Sequence, residues 1–268
     1  MARLAVIAGG GALPARIAAA HPDALFVTFD PQAGNLPDGA EVLHASFERA
    51  GALFAGLKAA GVTEVVFAGG LTRPKLNPLR FDAKTMALAP AVMAALKAGD
   101  DGLLRTVVGA FETEGFAVRG AADLVPDLTA PAGRLAGRAP AKADLADIDR
   151  AVTILTTLGP LDIGQGAVVV QGLVMGIETV QGTDAMLDFV AGTRARFRRD
   201  GGVLVKAPKP GQDLRVDMPA LGPQTVTAAA EAGLNGIAFA AGRVLLLDRD
   251  EMIVRAQAAG LFLLGQEV

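Results

Sequence analysis

"RLAVIAGGGALPARIAAAHP" occupies residues 3–22, and its reading decides the fold class. The first part, "RLAVIAG" (3–9), is an unbroken apolar run of strand length that ends in glycines. Such a run suits a strand buried on both faces. The part that follows, "ALPARIAAAHP" (12–22), reads as a short helix. Working outward, "ALFVTFD" (24–30) is a second strand. "FERAGALFAGLKAAG" (47–61) is an amphipathic helix closed by Gly61, a suitable C-cap. "EVVFAGG" (64–70) is a third strand, again ending in a glycine pair. Strands alternating with helices predict a Rossmann-like parallel sheet with helices on its faces.

Two helices follow, over 84–99 and 100–115, and "FAVRGAADLVPD" (116–127) reads as a strand and a short helix. Prolines and glycines then break "LTAPAGRLAGRAPAKAD" (128–144), which shows no hydrophobic period. The predicted organisation is a first domain over 1–129, a linker or hinge over 130–142, and a smaller mixed α/β domain over 143–268. In that second domain the pattern gives a helix over 144–159 and two strands over 165–180 with a turn near Gly172. A helix over 182–200 and the strand "GVLVKAP" (202–208) come next. A helix over 222–233, strands over 236–242 and 243–248, and a helix over 249–260 complete it.

The chain has 268 residues, 51% of them hydrophobic and 20% charged, which is ample for two cores. Its net charge of −3 and pI of about 5.5 argue against a nucleic-acid binder held by a broad basic surface. Cysteine is absent, which removes disulfides, thiolate metal sites and a catalytic thiol, and fits a reducing compartment. No run of about 20 apolar residues spans a bilayer. The amino-terminal apolar run is too short for a secretory signal and breaks at glycines and Pro14. The mean hydropathy of +0.41 owes much to alanine, and is also what an apolar groove for a greasy ligand would give.

Several clusters carry polar chemistry. "AGGGALP" (8–14) puts glycines between a strand and a helix, where backbone N–H groups approach phosphate. Gly9 and Gly11 fit a dinucleotide fingerprint, Pro14 stands at its third glycine, and Asp30 is where a ribose-binding acid would be. "GGLTRPK" (69–75) places Arg73 and Lys75 after a strand, at the edge where ligands bind. Asp100 and Asp101 open a helix, as caps or as metal ligands. Glu178 ends a largely apolar strand, where a carboxylate needs a partner, and Thr183 or Asp184 caps the next helix. The two histidines, His21 and His44, have no ligand-like spacing around them.

"KPGQDLRVDMPALG" (209–222) alternates Asp213, Arg215 and Asp217 with Leu214, Val216 and Met218. If the segment is extended, the three charges share a face. The two acids would then be about 13 Å apart, too far for one small cation bound at about 2.1 Å. Either the segment curves or each acid pairs elsewhere. With Lys206 nearby, the set suits metal-assisted phosphate chemistry, in which a metal neutralises phosphate, a carboxylate positions water and Arg or Lys stabilises transferred charge. A nucleotide-dependent oxidoreductase and a non-catalytic lipid-binding protein are the competing classes.

"IAGGGALP" (7–14), "GGLTRP" (69–74), "GDDGLLR" (99–105), "DIGQGAVV" (162–169), "IETVQGTDAML" (177–187) and "KAPKPGQDLRVDMPALGPQTV" (206–226) occur in this order. In these the chain resembles the LpxI-type UDP-2,3-diacylglucosamine pyrophosphatases of lipid A biosynthesis in Gram-negative bacteria, over nearly its whole length. The resemblance implies hydrolysis of UDP-2,3-diacylglucosamine to UMP and 2,3-diacylglucosamine 1-phosphate (lipid X). It implies a divalent cation, normally Mg2+, and water attacking the sugar-side phosphorus. It also implies two domains that clamp the amphipathic lipid-nucleotide substrate and open on hydrolysis. The site acids are expected in the carboxyl-terminal domain, with Asp217 or Asp213 essential. Expected catalytic residues are Asp217, Asp213, Arg215 and Lys206. Expected metal ligands are Asp217, Asp213, Asp100, Asp101 and Glu178. Expected substrate-binding residues are Gly10, Gly11, Leu13, Thr72, Arg73, Lys209, Gln212, Gln165 and Thr183. A homodimer, a cytoplasmic location and transient peripheral contact with the inner membrane complete these expectations, and no nucleic acid is expected.

Overall fold

The computed structural model describes residues 2–29, 36, 39–71, 75–97, 99–194, 196 and 200–268. Asp30, Thr72 and Arg73 lie outside the described residues, so the expectations placed on them have no structural counterpart. The chain forms two units, Met1–Pro126 with Asp213–Asp217, and Asp127–Gln212 with Met218–Val268.

The first unit starts with the strand and helix that the glycines separate, β1 (Arg3–Ala8) and α1 (Leu13–Ala20). It continues through β2 (Leu25–Phe29), β3 (Val42–Ala45), α2 (Ala50–Ala59), β4 (Val62–Ala68), α3 (Ala83–Lys97), α4 (Asp100–Thr113), β5 (Ala117–Arg119) and α5 (Ala121–Leu124). The sheet is parallel, in the order β3-β2-β1-β4-β5. The chain moves outward from β1 on one side, then returns to place β4 on the other. The carboxyl ends of β1 and β4 therefore flank the switch point, where open parallel sheets bind ligands. Ala5, Ile7, Val27, Leu57, Phe54, Phe111 and Phe116 belong to the core of this unit. Phe54 and Phe111 meet edge to face, with ring centroids 5.1 Å apart. The histidines are structural: His21 Nε2 lies 3.2 Å from the Leu124 carbonyl, and His44 Nδ1 lies 3.2 Å from Thr28 Oγ1.

The second unit comprises β6 (Gly133–Ala136), α6 (Lys142–Leu158), β7 (Gly166–Val170), β8 (Leu173–Ile177), α7 (Gly182–Arg194), β9 (Val203–Lys206), β10 (Ala220–Leu221), α8 (Pro223–Glu231), β11 (Gly236–Ala240), β12 (Leu245–Leu246), α9 (Arg249–Ala259) and β13 (Phe262–Gln266). Its mixed sheet runs β6-β13-β11-β9-β7-β8, with β13, β11 and β9 parallel and β6, β7 and β8 paired antiparallel. β10 and β12 pair separately. The β7–β8 hairpin turns on Gln171 and Gly172, both at positive φ, and their N–H groups donate to the buried Asp147 of α6 at 2.8 and 2.7 Å. One carboxylate thus fixes a turn that needs two left-handed residues.

Three expectations are corrected. The segment 130–142 is not a bare linker: β6 joins the second sheet as an edge strand beside β13. The units divide at Pro126 and Asp127 instead. The second unit is not the smaller one. The acid-rich segment Asp213–Asp217 also does not belong to the unit that surrounds it in sequence, because it groups with the first.

Candidate functional site

Asp213–Asp217 is a single helical turn, not a strand. The N–H groups of Val216 and Asp217 both donate to the Asp213 carbonyl, at 3.2 and 3.0 Å. The cause is local. The Asp213 side chain accepts the Arg215 N–H on Oδ1 at 3.1 Å, a turn-forming bond that competes with extended structure. The segment therefore curves. The Asp217 N–H to Asp213 carbonyl bond brings the two ends of the turn together. Val216, half-buried, packs on the apolar cluster of the first unit. Gly120, just past β5, lets the turn approach: a Cβ there would lie 3.6 Å from the Arg215 Cα.

Arg215 holds the site's charges in order. Its Nε donates to Asp213 Oδ1 at 3.0 Å and its Nη2 to Asp213 Oδ2 at 2.7 Å, while Nη1 donates to Glu112 on α4 at 2.8 Å. These bonds from Arg215 hold the Asp213 carboxyl below the usual carboxylate range, against a smaller opposing effect of burial, with a further contribution from the charge of Arg105. Bonding to Asp213 and then Glu112 raises the Arg215 pKa further above its already high value. Arg105, one turn along α4 from Asp101, pairs with it. Glu112 thus pairs with Arg215 of the turn, and Arg105, already paired with Asp101, lies close enough for its charge to act on Asp213. α4 itself begins at Asp100 after Gly99, so Asp100 and Asp101 are inside its first turn and not its cap.

A second polar group lies in the second unit. Lys206, at the end of β9, is 3% exposed. Its Nζ donates to Glu178 Oε1 and Oε2 at 2.9 and 2.7 Å and to Thr183 Oγ1 at 2.7 Å, using all three ammonium donors. Thr183 Oγ1 donates in turn to Glu178 Oε1 at 2.8 Å. Glu178 follows β8, and Thr183 is in the first turn of α7. The expected partner of Glu178 is thus Lys206. The glycines of "DIGQG" make room for it: a Cβ on Gly166 would come within 2.6 Å of Glu178 Oε2. Gln165 contributes its carbonyl, which accepts the Ala207 N–H at 2.9 Å. Lys209 pairs with Asp162, and its N–H donates to the buried Gln212 side chain at 2.8 Å.

At the switch point of the first sheet, Gly10 and Gly70 form an antiparallel bridge. A Cβ on Gly9 would lie 2.5 Å from the Gly70 carbonyl oxygen, so these glycines allow two backbones to touch. Gly10 and Gly11 are exposed there, and the half-buried Leu13 begins α1.

The residues therefore fall into three groups: the acid–arginine turn with α4, the glycine edge, and the Lys206–Glu178–Thr183 group. Arg105 and Glu112 were not foreseen as site residues: Arg105 closes the "GDDGLLR" motif, where the two aspartates stand out, and Glu112 lies outside every quoted motif. Among the described residues no group of three or more His, Cys, Asp or Glu forms a cation cage. Magnesium does not need one, since it takes one or two carboxylates and fills its other positions with water and phosphate oxygens. Asp213 and Asp217, at the two ends of one hydrogen-bonded turn, are carboxylates of the type that sparse donor set takes.

Residues 3–128 match the LpxI N-terminal domain, and residues 131–264 match the LpxI C-terminal domain. The chain is 44% identical over 278 aligned residues to the UDP-2,3-diacylglucosamine pyrophosphatase LpxI of Caulobacter vibrioides, covering 99% of this chain and 98% of that protein.

Proposed function

Because the chain belongs to the LpxI family, we propose that it hydrolyses the pyrophosphate of UDP-2,3-diacylglucosamine to UMP and 2,3-diacylglucosamine 1-phosphate. The observation that carries the reading is the identity of 44% spread over both domains of a relative with that name. In the reaction, water adds to the sugar-side phosphorus and the bond from that phosphorus to the bridging oxygen breaks. UMP leaves with the bridging oxygen.

Asp217 and Asp213 would hold a magnesium ion, which when bound neutralises phosphate charge. The carboxylates of the turn give the reason: a bound cation would offset their repulsion of a pyrophosphate. Asp217 is the first choice for the essential acid. Arg215 is fixed by Asp213 and Glu112 through three of its five N–H donors, and the other two would serve phosphate oxygens. Lys206 enters as a positioning residue, because its donors are occupied by Glu178 and Thr183. The Gly10 N–H is taken by the Gly70 carbonyl at 2.8 Å, so the backbone N–H proposed for a phosphate at this sheet edge is that of the exposed Gly11. The proposal includes closure of the two domains on substrate and their opening after hydrolysis.

The test is incubation with UDP-2,3-diacylglucosamine in 18O-enriched water, with magnesium or with a chelator. Expected are UMP formation that needs the cation and a label found in the sugar 1-phosphate. Label in UMP would reverse the point of attack. Absence of UMP under all metals would remove the activity.

A further inference from the structure

Residues 71–93 hold five of the chain's exposed large apolar side chains: Leu71, Leu76, Leu79, Met86 and Met93. Leu79 is 95% exposed, Met86 56% and Met93 57%. On α3 the exposed positions recur at three- and four-residue spacing, so they form one stripe along the helix. Met86, Pro90 and Met93 run down it with alanines between, and Lys97, at its end, is its one charged member. The opposite side of α3 carries the buried Thr85 and Ala95 and packs within the first unit. A surface helix normally turns its apolar face inward and its polar face to water. Here an apolar face is turned outward as well, and contiguous exposed apolar surface marks an interaction site.

The charges around this stripe favour one occupant. In the stretch 75–97 the cations are Lys75, Arg80, Lys84 and Lys97, and the single acid is Asp82, in a chain of net charge −3. Asp82 is turned to the protein: its Oδ1 accepts from Thr85 and its Oδ2 from the Ala52 N–H. Lys84 pairs with Glu114. Arg80 approaches Glu48 at 3.6 Å, yet its side chain is 70% exposed. Lys75 and Lys97 are exposed at the two ends. An apolar stripe with a cationic rim is the pattern of a helix lying in a bilayer interface, where side chains enter the acyl boundary and cations meet anionic headgroups.

We propose that the Leu76–Leu79 loop and the outer stripe of α3 form a docking surface for an anionic lipid bilayer. The surface rests in part on the activity proposed above, since a substrate with two acyl chains resides in a membrane, and it assigns residues to the meeting point. Docking then presents the enzyme to its substrate without a spanning segment, and no helix among the described residues is long and apolar enough to cross a membrane.

The experiment is flotation of the full chain, without substrate, on vesicles of phosphatidylcholine alone or with phosphatidylglycerol. The variants are Leu79→Asp and the double variant Met86→Asp with Met93→Asp. Each change adds charge at an exposed position, and thermal melting checks that the fold is kept. The wild type is expected to bind anionic vesicles at least about tenfold better than neutral ones, from three rim cations near the surface. The variants are expected to lose at least about tenfold of that binding, with full turnover of a short-chain, water-soluble analogue. Folded variants that still float like the wild type would overturn the proposal. So would equal loss of turnover on the soluble analogue, which would make the stripe a seat for the substrate's own chains. Loss of a dimer in sedimentation in place of loss of vesicle binding would assign the stripe to a second copy. Stripe-dependent vesicle binding by a protein that releases no UMP would leave the docking surface standing and remove the activity.

Discussion

The Asp213–Asp217 turn and the Lys206–Glu178–Thr183 group are seven residues apart at their nearest in sequence and opposite in character. The second is closed. Its lysine side chain is 4% exposed, its glutamate 12%, and every ammonium donor has an acceptor. The first is half-exposed, with the Arg215 side chain 40% exposed and the Asp213 side chain 20%. A closed, balanced pair has nothing left to offer a ligand, and breaking it leaves a buried charge. An open cluster stays within reach of water and ligands, and losing one member costs little structure. This contrast supports the proposal that the closed group serves the fold and the open one the chemistry.

The largest expected effect breaks the closed group. Lys206→Met strands Glu178 in the core and should destabilise the protein by about 3–5 kcal/mol, read by denaturant unfolding. Pairing it with Glu178→Leu should restore most of that loss, because apolar replacement of a whole buried pair is nearly neutral. No recovery would mean that the pair does more than balance charge.

A second buried acid sharpens the point. Asp144 accepts from Arg138 at 2.7 Å, the Ala141 N–H at 2.8 Å and Asn235 at 2.7 Å. Burial raises its pKa, but these three bonds outweigh burial and leave it lowered. Asp144→Asn should cost about 2 kcal/mol at neutral pH. A depressed carboxyl contributes stability above its unfolded pKa of about 3.9 and loses it as pH falls through the folded value. The deficit of the variant should therefore shrink below about pH 4. A deficit that stays constant to pH 2 would contradict the ionic origin.

In the open group, Arg215→Lys keeps the charge and loses the fork to Asp213 and Glu112. Turnover should fall by about tenfold with little change in melting. Val216→Ala, which trims the turn's apolar anchor, is the smallest effect, about 1 kcal/mol of stability at a half-buried site, with turnover of the folded fraction nearly unchanged.

The sequence showed different parts of this molecule with different clarity. β1, β4 and β9 are apolar runs bounded by glycine, and they read directly. β3 ("VLHA") is a short edge strand with an exposed His44, and β6 ("GRLA") is enclosed by prolines and glycines, so both look like loops until a neighbour pairs with them. β13 was missed although "FLLGQ" is apolar. It follows the last helix directly and pairs with a strand more than twenty residues earlier. The alternation in "DLRVD" left a strand and a curved segment both open. Period two suggests a strand, and the Asp213 side chain's bond to the Arg215 N–H decides for a turn. Glu178's need for a partner was legible, and its identity was not, because the Lys206 contact spans 28 residues. Arg105 and Glu112 became part of the site only through the packing of α4.

The most direct measurement is kcat of Asp217→Asn on UDP-2,3-diacylglucosamine with saturating magnesium, set beside its melting temperature. The account predicts kcat lower by at least about 10²-fold, with substrate still bound and melting within a few degrees of the wild type. Turnover close to wild type would contradict the assignment of chemistry to the turn, and a collapse in melting would make Asp217 part of the scaffold.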